Sequence, residues 1–515
     1  MILAPSPVPG KSDVLVKQAQ DLVAFVRRGV QAGVSFDEVE RGVFHRLLDM
    51  GRLAIDLFLD AQGDGDLGPS VEVDQGKTLQ RSDTTVTRPV RTIFGAHVVQ
   101  AYVYAAGSNR KIELRPIDAR INLPQQKASY LLQEFTQLFC VEKAFAVGAR
   151  QFQTLFRQQL SVDVLEDINR AMGEQADRFL DELPVPPPAE EGAILVATAD
   201  GKGVPLVLAD AQKVPVFEQK ERPGNRRMAT LGCVYTVDPY VRTPEQIVAA
   251  LFRDAATPPP ADTQPAQRPE ACHKRYRAYF AAAAADSDDA TPSAYRTWAW
   301  LADEVTTRCQ PGQPIVRLMD GQPSLWDASD ACLEDLVAQR EEAEEAALVD
   351  ILDILHVSSY VWKAAKAFHP HQEHQEHFAQ ERLLRILRGE VSAVIKGMRQ
   401  MASARGLKGP ALKEVSTACN YFENNAQRMR YDEYLQAGYP IASGVIEGAC
   451  RHVIKDRMEH GGMRWTLDGA QAMLNVRCVY ASSDAEHFGR WRQAEQAERV
   501  HPFRETVATY QGFNA

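Results

Sequence analysis

Beyond residue 192 the chain is built around apolar runs of strand length, and carboxylates close several of them. ILVATAD (194–200) ends on Asp200, VPLVLAD (204–210) follows, MATLGCVYTVDPY (228–240) is a third run, and PIVRLMD (314–320) ends on Asp320. Runs this short, parted by turn-like basic segments such as ERPGNRR (221–227), predict buried strands of an α/β sheet. At a strand end a side chain is free to converge on a site while the sheet fixes its backbone. A third acid, Glu447, lies in SGVIEGACRHVIKDRM, a helical stretch rich in cations. Two strand-end carboxylates and one helix-borne carboxylate make an oxygen ligand set suited to a pair of Mg²⁺ ions acting on a phosphodiester.

A chain of 515 residues is too long for one ordinary core. Residues 1–65 repeat apolar positions at three and four and predict helices, with Gly33 and the Ser35–Glu38 stretch breaking and recapping them. Residues 66–126 are β-rich, with strands in RTIFGAHVVQAYVYA and RKIELR around a GSN turn. Residues 127–183 return to helix. There VEKAFAVGARQFQTLF, RQQLS and VDVLEDINRAMGEQ follow a helix-turn-helix layout whose second helix carries Asn169 and Arg170. Asp163, Glu166 and Asp167 on that helix would repel phosphate, and an ordinary helical pair is the competing reading. PVPPPAEEG (184–192) is a linker by composition. Residues 193–480 are expected to form a mixed-sheet catalytic domain, with insertions at about 254–292 and 366–435, and 481–515 a C-terminal tail. The Pro-, Ala- and Asp-rich part of 254–292 predicts a mobile insertion with some helix. LVDILDILHV (348–357) fits either a fifth strand entering a helix or the middle of one long helix.

The net charge of −10 argues against a uniformly basic DNA coat protein, although phosphate contacts need only local cation clusters. No apolar run is long enough to cross a membrane, and MILAPSPVPGKSD lacks the pattern of a secretory leader. The eight cysteines form no CxxC pair, so reduced thiols in a cytoplasm are expected rather than a zinc ribbon.

Each chemical signal has a plainer counterpart. Asp200 in ADGKGVP and Asp320 in DGQPSLW are followed by glycine, and Asp-Gly is also a common turn pair. Arg451 and Lys455 lie four and eight residues after Glu447, which predicts an acid with cations on one helical face, or a solvated helix with salt bridges. Asp353 and His356 form a DxxH pair that binds metal, orients DNA or braces the insertion. A helix-stabilising Asp–His pair is the simpler account. Arg464 and Trp465 suit phosphate pairing and base stacking, yet a core tryptophan looks the same in sequence. His369, His371, His374 and His377 crowd HPHQEHQEH, where a hydrated surface is expected.

Strands first, then a helical insertion, then a helix with the last acid is the order of an RNase H-like domain. The blocks ADGKGVP (199–205), MDGQPSLW (319–326), LDILHVSSYVWKAA (352–365) and above all YPIASGVIEGACRHVIKDRMEHGGMRWTLDGAQAMLNVR (439–477) resemble the DDE transposases of bacterial insertion sequences. They are most similar to the ISKra type and, more broadly, to the Mutator-like transposases. The resemblance implies that Asp200, Asp320 and Glu447 are the catalytic, metal-holding acids. It implies that Asp353 and His356 are the accessory (C/D)xxH pair. It also implies two Mg²⁺ ions (Mn²⁺ substituting) and double-stranded DNA as partner, both transposon ends and target. The expected DNA contacts are Lys202, Arg451, Lys455, Arg457, Arg464 and Trp465, with Asn169 and Arg170 from the helical segment. A homodimer or higher homo-oligomer in a bacterial cytoplasm, associated with the nucleoid, is expected. A purely hydrolytic RNase H-like nuclease and a catalytically silent DNA-binding protein remain the alternatives.

Overall fold

In a computed structural model of the chain, residues 10–73, 76–107, 110–217, 224–252, 268–282, 290–343, 345 and 348–508 are described. The chain divides into two units, residues 1–175 with 485–515, and residues 176–484.

The first unit begins with α1 (Lys11–Ala32) and α2 (Phe36–Asp60). Gly33 between them takes a left-handed φ of 63°, and the Ser35 hydroxyl accepts the Glu38 amide at 3.4 Å. Strands β1 (Ser70–Val73), β2 (Lys77–Arg81), β5 (Tyr104–Ala105) and β6 (Ile112–Leu114) make an antiparallel sheet in the order β1-β2-β5-β6. Strands β3 (Val86–Thr92) and β4 (Gly95–Ala101) form a separate hairpin. Leu79, Tyr104 and Leu114 are buried at the centre of the sheet's small core. Helices α3 (Pro116–Ile121), α4 (Tyr130–Cys140), α5 (Phe145–Phe156) and α6 (Val162–Asp181) follow.

The second unit is a five-stranded mixed sheet ordered β11-β10-β7-β8-β9. Strands β7 (Ile194–Pro205), β8 (Arg226–Val237) and β9 (Cys272–Phe280) are antiparallel neighbours. Strands β10 (Ile315–Met319) and β11 (Val349–Leu352) run parallel to β7. Between them come α7 (Leu208–Ala211), α8 (Pro244–Phe252), α9 (Ser293–Arg308), α10 (Pro323–Cys332) and α11 (Glu334–Glu342). Leu195, Ala197, Ala199, Ile315 and Met319 pack from one sheet face against Trp298, Leu301 and Val305 of α9 and Leu325 and Trp326 of α10. Burying each large apolar side chain here stabilises the fold by about 1.5–3 kcal/mol. After β11 the chain is helical: α12 (Ile354–Phe368), α13 (Gln372–Leu387), α14 (Val391–Ala404), α15 (Gly409–Asn424), α16 (Tyr431–Ala437) and α17 (Gly444–Ala449). A π-helical turn (Cys450–Lys455), α18 (Asp456–Met458) and α19 (Leu467–Ala481) complete it. Residues 366–435 are thus largely helical, and 348–357 is a strand entering a helix.

Four expectations are corrected. Residues 194–210 are not two runs around a turn, because β7 continues through Gly201 and Gly203, paired with β8 as far as Pro205 opposite Arg226. Part of the expected mobile insertion, 272–280, is strand β9, whereas residues 253–267 and 283–289 lie outside the described residues. The proline-rich 184–192 is anchored rather than free, since Glu191 accepts Arg308 at 2.9 and 3.0 Å and Gln313 donates to the Gly192 carbonyl at 3.0 Å. Residues 485–508 are no tail. They fold as α20 (Ala485–Val500) and α21 (Arg504–Ala508) and belong to the first unit.

Candidate active site

Strand register brings the first acids together. β10 sets Arg317 opposite Ala197 of β7 and Met319 opposite Leu352 of β11. Carried forward, that register puts Asp200, Asp320 and Asp353 abreast across adjacent strands about 4.8 Å apart, with Asp320 and Asp353 just past the ends of β10 and β11. Ala199 and Met319 point into the core beneath α9 and α10, so alternation turns Asp200 and Asp320 to the other face. Asp200 itself lies within β7 rather than at its end, because β7 outruns β10. The Gly201 amide donates to Asp200 Oδ1 at 2.7 Å, and the Gln322 amide to Asp320 Oδ1 at 3.0 Å. Trp326 Nε1 donates to the Asp320 carbonyl at 2.7 Å, which fixes the β10–α10 turn. Gly321 has no room for a side chain, because a Cβ would stand 2.4 Å from the Tyr421 ring. The Gly321 amide instead donates to the Tyr421 hydroxyl at 3.1 Å.

Asp353 is the N-cap of α12 and has no exposed surface. Its Oδ1 accepts the Leu355 amide (3.1 Å) and the Ser443 amide (3.0 Å). Its Oδ2 accepts the Ser443 hydroxyl (2.7 Å) and His356 Nδ1 (2.9 Å). Ser443 immediately precedes α17, so this one carboxylate ties the start of the Glu447 helix to the end of the sheet. His356 stands among the acids, with Nε2 3.9 Å from Asp320 Oδ2 and Nδ1 3.5 Å from Glu447 Oε1.

These positions set the electrostatics. Burial pushes the Asp320 and Glu447 carboxyls upward, helped at Asp320 by the Asp200 charge and at Glu447 chiefly by the Asp353 charge. Burial acts likewise on Asp353, but the hydrogen bonds from His356, Ser443 and Leu355 outweigh it and hold that carboxyl low. The Asp353 hydrogen bond lifts the His356 imidazole to about 9. A half-buried group of mutually repelling carboxylates is eased by a cation.

Among the described residues the one tight group of three possible ligands is Asp353, His356 and Glu447, with ligand atoms within 4.8 Å of one another. Asp353 already accepts four hydrogen bonds and His356 Nδ1 is engaged by it, so this trio is an internal ion pair with a neighbour rather than a metal cage. The carboxylates left with free oxygen lone pairs are Asp200, Asp320 and Glu447. Their all-oxygen character fits Mg²⁺ or Mn²⁺. Cys450 brings sulfur close to this region, but its Sγ is buried and lies 3.7 Å from the Asp200 carbonyl.

The expected DNA contacts separate by exposure. Lys202 follows Asp200 by two residues on β7, which puts both on one strand face. Arg451, Lys455 and Arg464 are exposed. Arg457 and Trp465 are not available to DNA, being 1% and 6% exposed. They pack together with the guanidinium 4.7 Å from the ring centroid. Trp465 also exchanges backbone hydrogen bonds with Pro205 and Val207. Asn169 is likewise corrected: α5 and α6 keep the helix-turn-helix outline, but Asn169 is 1% exposed and faces the core. Arg170 is engaged by Asp167 at 2.6 Å and Glu166 at 3.8 Å. The expected single face of Glu447, Arg451 and Lys455 presumed α-helical pitch throughout, whereas residues 450–455 are π-helical. His374 meets His369 at a tilt and His371 edge-on, at ring separations of 5.9 and 6.0 Å, with no three-ligand group among the described residues there.

Ser443 and Tyr421 were not foreseen. Ser443 has a weak signal, a hydroxyl four residues before Glu447, whereas nothing local marks Tyr421, whose partner Gly321 is 100 residues away. Compared with known proteins, the sequence matches no family model and no curated protein. Among the described residues no helix is long and apolar enough to cross a membrane.

Proposed function

We propose that the chain is a DDE-type DNA transposase, cleaving DNA strands at the ends of an insertion sequence and joining them to a target, on an RNase H-like catalytic domain. The carrying observation is the neighbouring placement of Asp200 and Asp320 on adjacent parallel strands, with Glu447 linked to Asp320 through His356. An RNase H-like sheet sets its first two acids side by side, and β7 and β10 are neighbours in this sheet.

Asp200, Asp320 and Glu447 would hold two Mg²⁺ ions, which when bound neutralise charge on a phosphodiester and lower the pKa of water. Asp353 does not share in this. It orients His356 by Nδ1 and anchors Ser443, so that Glu447 stays beside His356 and the His356 Nε2 edge faces Asp320. Lys202, Lys455 and Arg464 are the cations left to hold phosphates, with Arg451, 3.6 Å from Asp456, as a further contact. In the first reaction water forms a bond to phosphorus at the element's end and the 3′ oxygen leaves as a free 3′-OH. In the second that 3′-OH bonds to a target phosphorus, displaces the target's own 3′ oxygen and gives up its proton. No side chain becomes covalently attached. A second copy of the chain is part of the reading, because two ends must be held together. Val16, Val23 and Val30, seven apart on α1 and all exposed, support it. Bacterial cytoplasm, at the nucleoid, is the proposed location.

A strand-transfer assay with labelled element ends and Mg²⁺ or Mn²⁺ tests the proposal. Joined product supports it, nicks without joining turn the protein into a hydrolytic nuclease, and intact DNA throughout refutes catalysis.

A further inference from the structure

With Asn169 in the core, the helix-turn-helix outline leaves the first unit without its expected DNA-reading residue. The same unit has a cleft of about 1220 Å³ between β3, the β6–α3 segment, residues 124–127 and the end of α20. Six cations and two acids line it, in a chain whose net charge is −10. Both acids are already engaged, Glu113 by Lys77 and Asp118 by Arg88, and Arg499 is held by Glu495 at 2.6 Å. Arg110, Lys111 and Lys127 are exposed and make no side-chain ion pair among the described residues. Arg115 has only a 4.0 Å approach to Asp118, whose charge already meets Arg88.

The cleft is built rather than accidental. The Arg88 guanidinium bonds Asp118 and the carbonyls of Pro124 and Gln126, clamping the segment that carries Lys127. Backbone bonds then join that segment to β3: the Arg91 amide donates to the Lys127 carbonyl at 2.7 Å, and the Ser129 amide to the Arg91 carbonyl at 2.8 Å. Arg115 stands at the N-cap of α3. The uncompensated cations therefore come from two separately fixed segments. The volume also exceeds the roughly 300–1,000 Å³ usual for a small-molecule pocket.

We infer that this cleft seats the phosphate backbone of duplex DNA, with Arg110, Lys111, Arg115 and Lys127 as its phosphate contacts. The choice of DNA as the polyanion rests on the transposase reading. The contacts are sequence-independent, since the cations are long side chains, three of them exposed and Arg115 half-buried, suited to phosphate oxygens.

Fluorescence anisotropy of the full chain on a labelled duplex of arbitrary sequence, between 50 and 200 mM salt, tests it. Four phosphate contacts give a slope of log affinity against log salt of about −3.6 or steeper. In the Lys111→Gln/Lys127→Gln double variant the slope becomes shallower by about 1.8 and affinity at 100 mM salt drops at least about tenfold. Lys111→Arg/Lys127→Arg retains both. Both lysines are exposed, and an unchanged thermal midpoint establishes that the variants fold. An unchanged slope in the Gln variant overturns the inference. So does a variant that loses only binding of inorganic phosphate, or of an acidic peptide, while duplex binding persists. The two readings fail separately: cleft-dependent binding without cleavage under any metal removes the transposase and keeps the seat, whereas strand transfer by a chain whose Gln variant binds normally removes the seat alone.

Discussion

Asp353 and Ser443, 90 residues apart, are joined twice, by the Ser443 amide to Oδ1 at 3.0 Å and by the Ser443 hydroxyl to Oδ2 at 2.7 Å. The acid at the third strand end is therefore a fastener for the Glu447 helix, and its role is separable from metal holding.

Replacing Asp353 with Asn removes the charge and turns one acceptor into a donor facing Ser443 or His356. Hydrogen bonds to a buried charged group contribute about 1.5–3 kcal/mol each. A loss of roughly 3 kcal/mol in urea denaturation is expected. A Ser443→Ala change loses less, because the backbone contact remains.

The metal-free protein has a definite alkaline weakness. His356 has a folded pKa of about 9 against an unfolded value of 6.5. A raised pKa of this kind contributes stability that is complete below 6.5 and is lost as pH rises through about 9. Denaturation midpoints between pH 6 and 10 should fall across that window in the wild type, and His356→Gln should flatten the decline. Proton NMR of His356 reads the same titration directly.

Asp200→Asn, Asp320→Asn and Glu447→Gln should each lower strand cleavage by at least about 10³-fold, equivalent to some 4 kcal/mol of transition-state stabilisation. Their duplex affinity should persist. Because burial raises the Asp320 and Glu447 carboxyls, Asp320→Asn and Glu447→Gln should raise the melting temperature without metal. Mg²⁺ at a hundred times its dissociation constant should stabilise the wild type by about 2.7 kcal/mol, and the variants less.

Gly321→Ala forces a methyl into the Tyr421 ring, which is stacked on Tyr360 at 4.0 Å. Overpacking of this sort costs about 1–3 kcal/mol. Cleavage should fall further than stability alone accounts for, as Gly321 adjoins Asp320. Pairing the change with Tyr421→Leu should recover part of both.

Arg457 and Arg464 should behave oppositely. Arg457→Met, in the core beside Trp465, should lower the melting temperature and leave the salt dependence of DNA binding unchanged. Arg464→Gln, on the surface, should do the reverse.

Much of the sheet was legible because its strands are nearly continuous apolar runs, as in ILVATA and IVRLM. Strand β9 was not, because CHKRYRAYF looks like a solvated segment. Arg277 within it is 1% exposed and is neutralised by Asp177 and Asp181, partners no local pattern reveals. The Asp200-Gly201 pair suggested a turn, yet a long antiparallel partner holds those glycines extended. For the candidate site, residue type marked Asp200, Asp320, Glu447, Asp353 and His356. It did not disclose that Asp353 is buried and fully hydrogen-bonded. Asn169, Arg457 and Trp465 carry the chemistry of DNA contacts but lie inside, and burial depends on packing from distant segments.

The wide turn at Cys450–Lys455 makes angular bearing a variable at this site. One additional residue in a helical circuit rotates everything after it by about 100° relative to what came before. Glu447 precedes the offset, and Lys455 is its last residue. Shortening the chain by a single residue inside that turn would swing Lys455 to another compass point while the acid kept its aim, so a one-codon deletion uncouples that phosphate contact from chemistry without touching any ligand.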